Sequence, residues 1–173
     1  MDAAVTYLIR SRSNRGRVEA TSPGARFAAC FVALLAAHQL ADYWAQTNYQ
    51  AANKGRHGSP HDNAEGRVAC MAHVATYTAV SGATVTGANC LLGLGANWRG
   101  VVAGQLISFA THYFADRRFP LRALAARTGK LEFHDAGEGL AKGSAVLDQS
   151  WHLGWLAVCA LASATIGATR ASR

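Results

Sequence analysis

The chain predicts an all-α fold: a four-helix transmembrane bundle threaded up and down, with antiparallel neighbours. Three observations carry that expectation. Half of the 173 residues are hydrophobic and only 16% are charged. The apolar residues gather in four runs between arginine-rich connectors, which holds mean hydropathy at +0.05. Each run also places two polar side chains one helical turn apart: His38 with Asp42, His73 with Tyr77, His112 with Asp116, and Asp148 with His152. The length suits one domain.

Residues 1–25 carry Arg10, Arg12, Arg15 and Arg17 among Ser, Gly and Pro. No apolar core of signal-peptide length follows Met1, so this stretch reads as a basic arm with a short helix over Ala3–Ile9. The membrane domain is expected over 26–168, with a basic tail over 169–173. Its first segment runs from Arg26 to Gln46. Thr47 to Gly66 reads as a loop by composition. The second segment, Arg67 to Leu94, has no formal charge over Val68–Asn97, and about 20 apolar residues suffice to span a bilayer. Gly82 and Gly87 inside it read as points of close helix contact. After the tight link Gly95–Arg99 the third segment runs from Gly100 to Asp116, ended by Arg117-Arg118-Phe119-Pro120. Residues 121–143 form the longest connector, with a short interfacial helix over Leu121–Arg127. The fourth segment runs from Ser144 to Ala168.

The net charge of +7 raises the question of nucleic acid. Such binders concentrate charge on one face, whereas these arginines lie at segment ends and in loops, where lipid headgroups sit. No nucleic-acid partner is expected. Tyr43, Trp44, Trp98, Tyr113 and Trp151 lie near segment ends, as in interfacial belts. Cys30, Cys70, Cys90 and Cys159 stand singly, with no CxxC pair. There is no phosphate-binding glycine loop, GxSxG elbow or HExxH.

Antiparallel threading puts His38, His73, His112, Asp148 and His152 at one end of the bundle. At 1.5 Å rise per residue they lie roughly 5–15 Å below the same surface. Ionisable groups in a bilayer are costly and face the bundle interior. Imidazole with carboxylate suits a divalent transition metal (zinc, manganese or iron), and the set has donors for one or two ions. The expected ligands are His38, Asp42, His112, Asp116, Asp148 and His152. His73 is a ligand or a general base, and Asp42 and Asp148 join it as catalytic candidates. Gln46, Tyr77 and Gln149 suit supporting roles around the ligands. The competing reading is a polar network that only holds helices together. His57, His61 and His134 read as solvated loop residues; Lys54 could bind a phosphate, but a lysine facing headgroups is the commoner arrangement.

His38-x3-Asp42-x3-Gln46 followed by Asn53-Lys54, then His73-x3-Tyr77, His112-x3-Asp116 and Asp148-Gln149-x2-His152, resembles domain of unknown function 3307. That is a family of small bacterial and phage integral membrane proteins, and the resemblance covers about residues 27–165. It implies a multi-pass protein of the bacterial inner membrane, but no settled activity. A looser analogy links it to membrane-bound metal-dependent hydrolases. The leading expectation is therefore a metal-dependent hydrolase acting on a lipid-linked or headgroup substrate, with the bilayer as partner and a homo-oligomer allowed. The alternatives are a non-enzymatic membrane protein, such as a phage factor for host-envelope modification or superinfection exclusion, and a small ion carrier. Basic residues are near balance on the two sides, which leaves orientation open.

Overall fold

The computed structural model describes residues 21–139 and 142–168. The expected tail, and the arm with its Ala3–Ile9 helix, lie outside the described residues except for 21–25. Among the described residues there are seven α-helices and no strand. Four are long: α1 (Pro23–Leu40), α3 (Pro60–Leu91), α4 (Trp98–Asp116) and α7 (Gly143–Thr165). Three are short: α2 (Asn48–Asn53), α5 (Phe119–Arg127) and α6 (Leu131–Asp135). A π turn, Ala41–Ala45, continues α1.

Local chemistry sets the helix starts. Ser22 caps α1 and Ser59 caps α3, each followed directly by proline, the residue best suited to the first helical position. α3 therefore begins at Pro60, about two turns before the expected Arg67. The expected loop over 47–66 is shortened further by α2, where Thr47 and Gln50 close a capping box.

Contacts at both ends fix the directions of the long helices. Arg26, near the start of α1, donates from Nε to Leu94 O at 2.7 Å and from Nη1 to Ala164 O at 3.0 Å. It thereby satisfies carbonyls just beyond α3 and at the end of α7. At the opposite end His38 meets Gln149 and Asp42 meets His73. Each long helix thus runs against its packed neighbours. Cys30, Leu34, Val85, Leu94, Leu156, Cys159 and Ala160 form the apolar core, and the histidines fill the bundle beyond it.

One face of α4 reads Gly100, Gly104, Ser108, His112, Asp116, and all five are buried. A Cβ on Gly100 would lie 2.8 Å from Ala162 O, and one on Gly104 would lie 2.7 Å from Cys159 O. These glycines let α4 and α7 touch backbone to backbone. Gly82 and Gly87 do not play the part expected of them. A Cβ on Gly82 would make only ordinary contact with Gln105, and one on Gly87 would meet nothing within 4 Å.

Among the described residues two helices are long and apolar enough to cross a membrane: Pro23–Ala45, counting the π turn with α1, and Pro60–Leu91. The expected set of four spans is met to that extent.

Gly104→Ala should destabilise the protein by about 1–3 kcal/mol through overpacking, read as a lower midpoint of thermal unfolding in detergent. Gly87→Ala, made into open space, should leave the midpoint unchanged or raise it.

Candidate metal centre

α1 supplies His38, and the π turn after it supplies Asp42. α3 supplies His73, α4 supplies His112 and Asp116, and α7 supplies Asp148 and His152. All four histidines and Asp116 are buried, and the Asp42 side chain is only 9% exposed. The π turn is wider than an α turn, and such turns concentrate at functional sites.

Nε2 of His73 and Nε2 of His112 lie 3.1 Å apart. Asp42 Oδ1 is 3.4 Å from the first and 3.3 Å from the second. Asp116 Oδ2 is 3.2 Å from both. Two nitrogens this close cannot both carry a proton on the facing atom. If one does, the other presents a lone pair toward two carboxylate oxygens that present only lone pairs. A cation fits the same spacing. Ligand atoms about 2.1 Å from a common ion, at angles of about 90–110°, lie ~3.0–3.4 Å apart.

The remaining ligand candidates adjoin this core. His152 Nε2 lies 3.6 Å from Asp148 Oδ2. Ligand atoms of Asp116, Asp148 and His152 all fall within 4.8 Å of one another, as do those of His38, His112 and His152. Several groupings can therefore hold a metal ion. His38 Nε2 lies 3.3 Å from Gln149 Oε1. A proton donated there leaves the Nδ1 lone pair facing Asp42 Oδ2, at 3.5 Å. Tyr77 stacks on His112 with ring centroids 3.8 Å apart. These are the supporting places expected of Gln149 and Tyr77. Gln46 differs: it follows the π turn in extended conformation, so it no longer continues the face of His38 and Asp42, and it lines a cavity instead.

Lys54 corrects the sequence reading. It does not face headgroups; its Nζ lies 2.8 Å from Asp116 Oδ1, and the side chain is 12% exposed. Buried Arg117 holds it there, donating to Lys54 O at 3.0 Å and to Arg56 O at 2.9 Å. Gly66 makes room, since a Cβ there would overlap Arg117 Nη1. The Arg117-Arg118 pair was legible only as a helix end. Nothing in its spacing marks the inward reach of Arg117.

A cavity of about 660 Å³ opens beside Asp116 and Asp148, with Lys54, Arg118, Arg122 and Lys142 also on its wall. The loop histidines divide. His57 and His61 are exposed, as expected, whereas His134 is buried with Nδ1 2.7 Å from Asp135 Oδ1. Asp135 is held down to about 2 by hydrogen bonds from Arg122 and then His134. His61, Asp62 and Glu65 also cluster, but Arg56 pairs with both acids at the surface.

Comparison with known proteins returned no match: no family model, no curated protein and no solved structure aligns with this chain.

Purified protein should carry a divalent transition metal by elemental analysis. Asp42→Ala and His112→Ala should each abolish it, and Asp148→Ala should reduce it. Gln149→Ala should weaken metal affinity by about 10–100-fold, the usual effect of losing a group that orients a ligand.

Proposed function

We propose that this chain is a membrane-embedded, metal-dependent hydrolase acting on a lipid-linked or headgroup substrate. The observation that supports it best is the meeting of His73 Nε2 and His112 Nε2, 3.1 Å apart, before the same two carboxylates. A polar network built only for helix contact would pair donors with acceptors. This one leaves at least one imidazole nitrogen facing carboxylate oxygens with no proton between them.

A membrane setting for all four long helices is supported by which side chains face outward. Val32, Val68, Val102, Leu106, Leu153 and Leu161 are exposed, while Ser81, Ser108, Ser163 and the histidines His38, His73, His112 and His152 are buried. Small and polar residues inside with branched apolar residues outside is the arrangement lipid favours. Trp44 and Trp98 are exposed near opposite ends of the bundle, at the depth of headgroups. The resemblance to domain of unknown function 3307 agrees with this multi-pass reading.

Catalysis rather than structure is supported by access, since the cavity reaches ligand candidates that a purely structural site would enclose. A bound divalent ion would lower the pKa of water and polarise the scissile ester. Among the chain's own groups, fully buried His73 suits holding the ion better than serving as general base. Asp148 lies on the cavity wall with its side chain 28% exposed. It is the group placed to take a proton as water attacks the ester and to return it to the departing oxygen. On the other side of α5 lies an apolar groove of about 400 Å³ walled by Leu124, Leu147, Trp151, Trp155 and Val158. It shares Leu121 with the cavity, and suits the chain of a lipid whose polar end enters there.

The test is ester hydrolysis by the purified protein in lipid nanodiscs. Turnover should stop on chelation, return with zinc, manganese or iron, and fall by at least about 100-fold in Asp148→Asn. Full turnover in a metal-free preparation would rule the reading out. Topology has its own check. Cys90 is the exposed cysteine, while Cys30, Cys70 and Cys159 are buried. A membrane-impermeant thiol reagent should therefore label Cys90 from the side opposite the cavity mouth.

A further inference from the structure

The cavity wall has a chemistry of its own. Its inner end is acidic, at Asp116 and Asp148, and its outer part is cationic, at Arg118, Arg122 and Lys142. These cations are unequally committed. Arg122 is engaged by Asp135 through both Nε and Nη2. Arg118 gives one bond, from Nη2 to Ala51 O at 3.0 Å. Lys142 has no carboxylate partner among the described residues.

Two helix starts add positive dipole ends. α5 and α7 begin at this cavity, neither with a side-chain cap nor with an acidic residue in its first turn. At α5 the Phe119 N–H is taken by Arg117 O and Pro120 has none, and at α7 the Gly143 N–H is taken by Ala136 O and the Ala145 N–H by Lys142 O; what each start offers an anion is chiefly its positive dipole end. Arg118, the residue before α5, sits at φ 60 and ψ −50, the one non-glycine residue with positive φ among those described. A bulky side chain pays strain there, and such strain collects at binding sites. Gly143 lets α7 start where it does: a Cβ would overlap Phe133 O.

We infer that the outer cavity binds the phosphate group of the substrate, through Arg118 and Lys142 with the first turns of α5 and α7. This rests on the hydrolase reading of the same cavity and narrows its substrate to a phosphate-bearing one. Guanidinium, ammonium and helix N-terminus are the three groups that proteins use for phosphate. The competing account is that these cations only set membrane orientation, which gives no reason for them to gather on one cavity wall with two positive helix ends.

The experiment is calorimetric titration of the detergent-purified protein, loaded with metal, with inorganic phosphate, dioctanoyl phosphatidic acid and dioctanoylglycerol. Both phosphate probes should bind and dioctanoylglycerol should not. The double variant Arg118→Gln/Lys142→Gln should weaken phosphate binding at least tenfold while its metal content and helical circular dichroism stay unchanged. Arg122→Gln should have the smallest effect, because Asp135 already occupies that guanidinium. Tighter binding of phosphatidic acid than of phosphate assigns the group to a lipid, and equal binding assigns it to a soluble ester. Unchanged affinity in the double variant, or no phosphate binding in wild type, overturns the inference. No turnover is read. A protein that binds phosphate this way but hydrolyses nothing refutes the hydrolase alone. One that hydrolyses esters with phosphate affinity indifferent to Arg118 and Lys142 refutes only this inference. If the double variant misfolds, Arg118→Lys, which keeps the charge, and Lys142→Gln alone carry the test, the first expected near wild type and the second weakened.

Discussion

The facing nitrogens of His73 and His112 constrain this molecule more than any other contact. They come from different helices, and each sits between carboxylates from two more positions, Asp42 and Asp116. Turning one long helix by a single residue rotates its donor about 100° away. The arrangement therefore fixes the register of α1, α3 and α4 together. Buried ionic groups add little net stability but specify one packing among several. At the far end Gly100 and Gly104 serve the same end by a different means, since the α4–α7 backbones approach only where no side chain intervenes. Polar specification at one end and steric specification at the other leave the long helices a single mutual alignment.

Much of this was legible in the residues because helical spacing is geometrically strict. A pair at i and i+4 shares a face wherever the helix lies, so His38 with Asp42, His112 with Asp116, and Asp148 with His152 could be read as three donor pairs. Alternating direction then placed them at one end. What spacing could not show was anything resting on backbone irregularity or on contacts distant in sequence. The π turn at 41–45 carries Gln46 off the expected face, and Ala41-Asp42-Tyr43-Trp44-Ala45 holds no proline or glycine to announce it. Lys54 turns inward because Arg117, more than sixty positions later, grips the backbone beside it. The start of α3 was legible and missed: Ser59-Pro60 with Asp62 is a helix-start pattern lying inside a stretch polar enough to read as loop. Glycine proved ambiguous by itself. Gly87 and Gly104 look alike in sequence, and only the neighbour across the interface separates them.

On α4 the usual division of labour is inverted. In water, a helix face is buried because it is apolar. Here the α4 face that turns inward is glycine, serine, histidine and aspartate, while Val102 and Leu106 on the same helix are exposed. Such a face gains little from leaving water. Its burial follows if the surroundings are themselves apolar and the polar atoms have only one another to turn to. The proposed lipid setting and the polar centre therefore support each other, since each removes the alternative to the other.

Charge completes that argument. Around the centre stand three carboxylates, Asp42, Asp116 and Asp148, and one fixed cation, Lys54. With neutral imidazoles the cluster carries two negative charges in excess, largely shielded from water. An uncompensated buried charge is among the most expensive features a fold can keep. One divalent ion cancels the excess. A second would reverse it to two positive charges, matching a phosphate monoester dianion arriving through the cationic outer cavity. Arg118, Lys142 and the positive ends of α5 and α7 would then have an electrostatic reason to stand where they do. On the proposed reading they would hold the anion over a centre whose own charge is negative until metal is bound, which would couple substrate affinity to metal occupancy through the field of a single cavity.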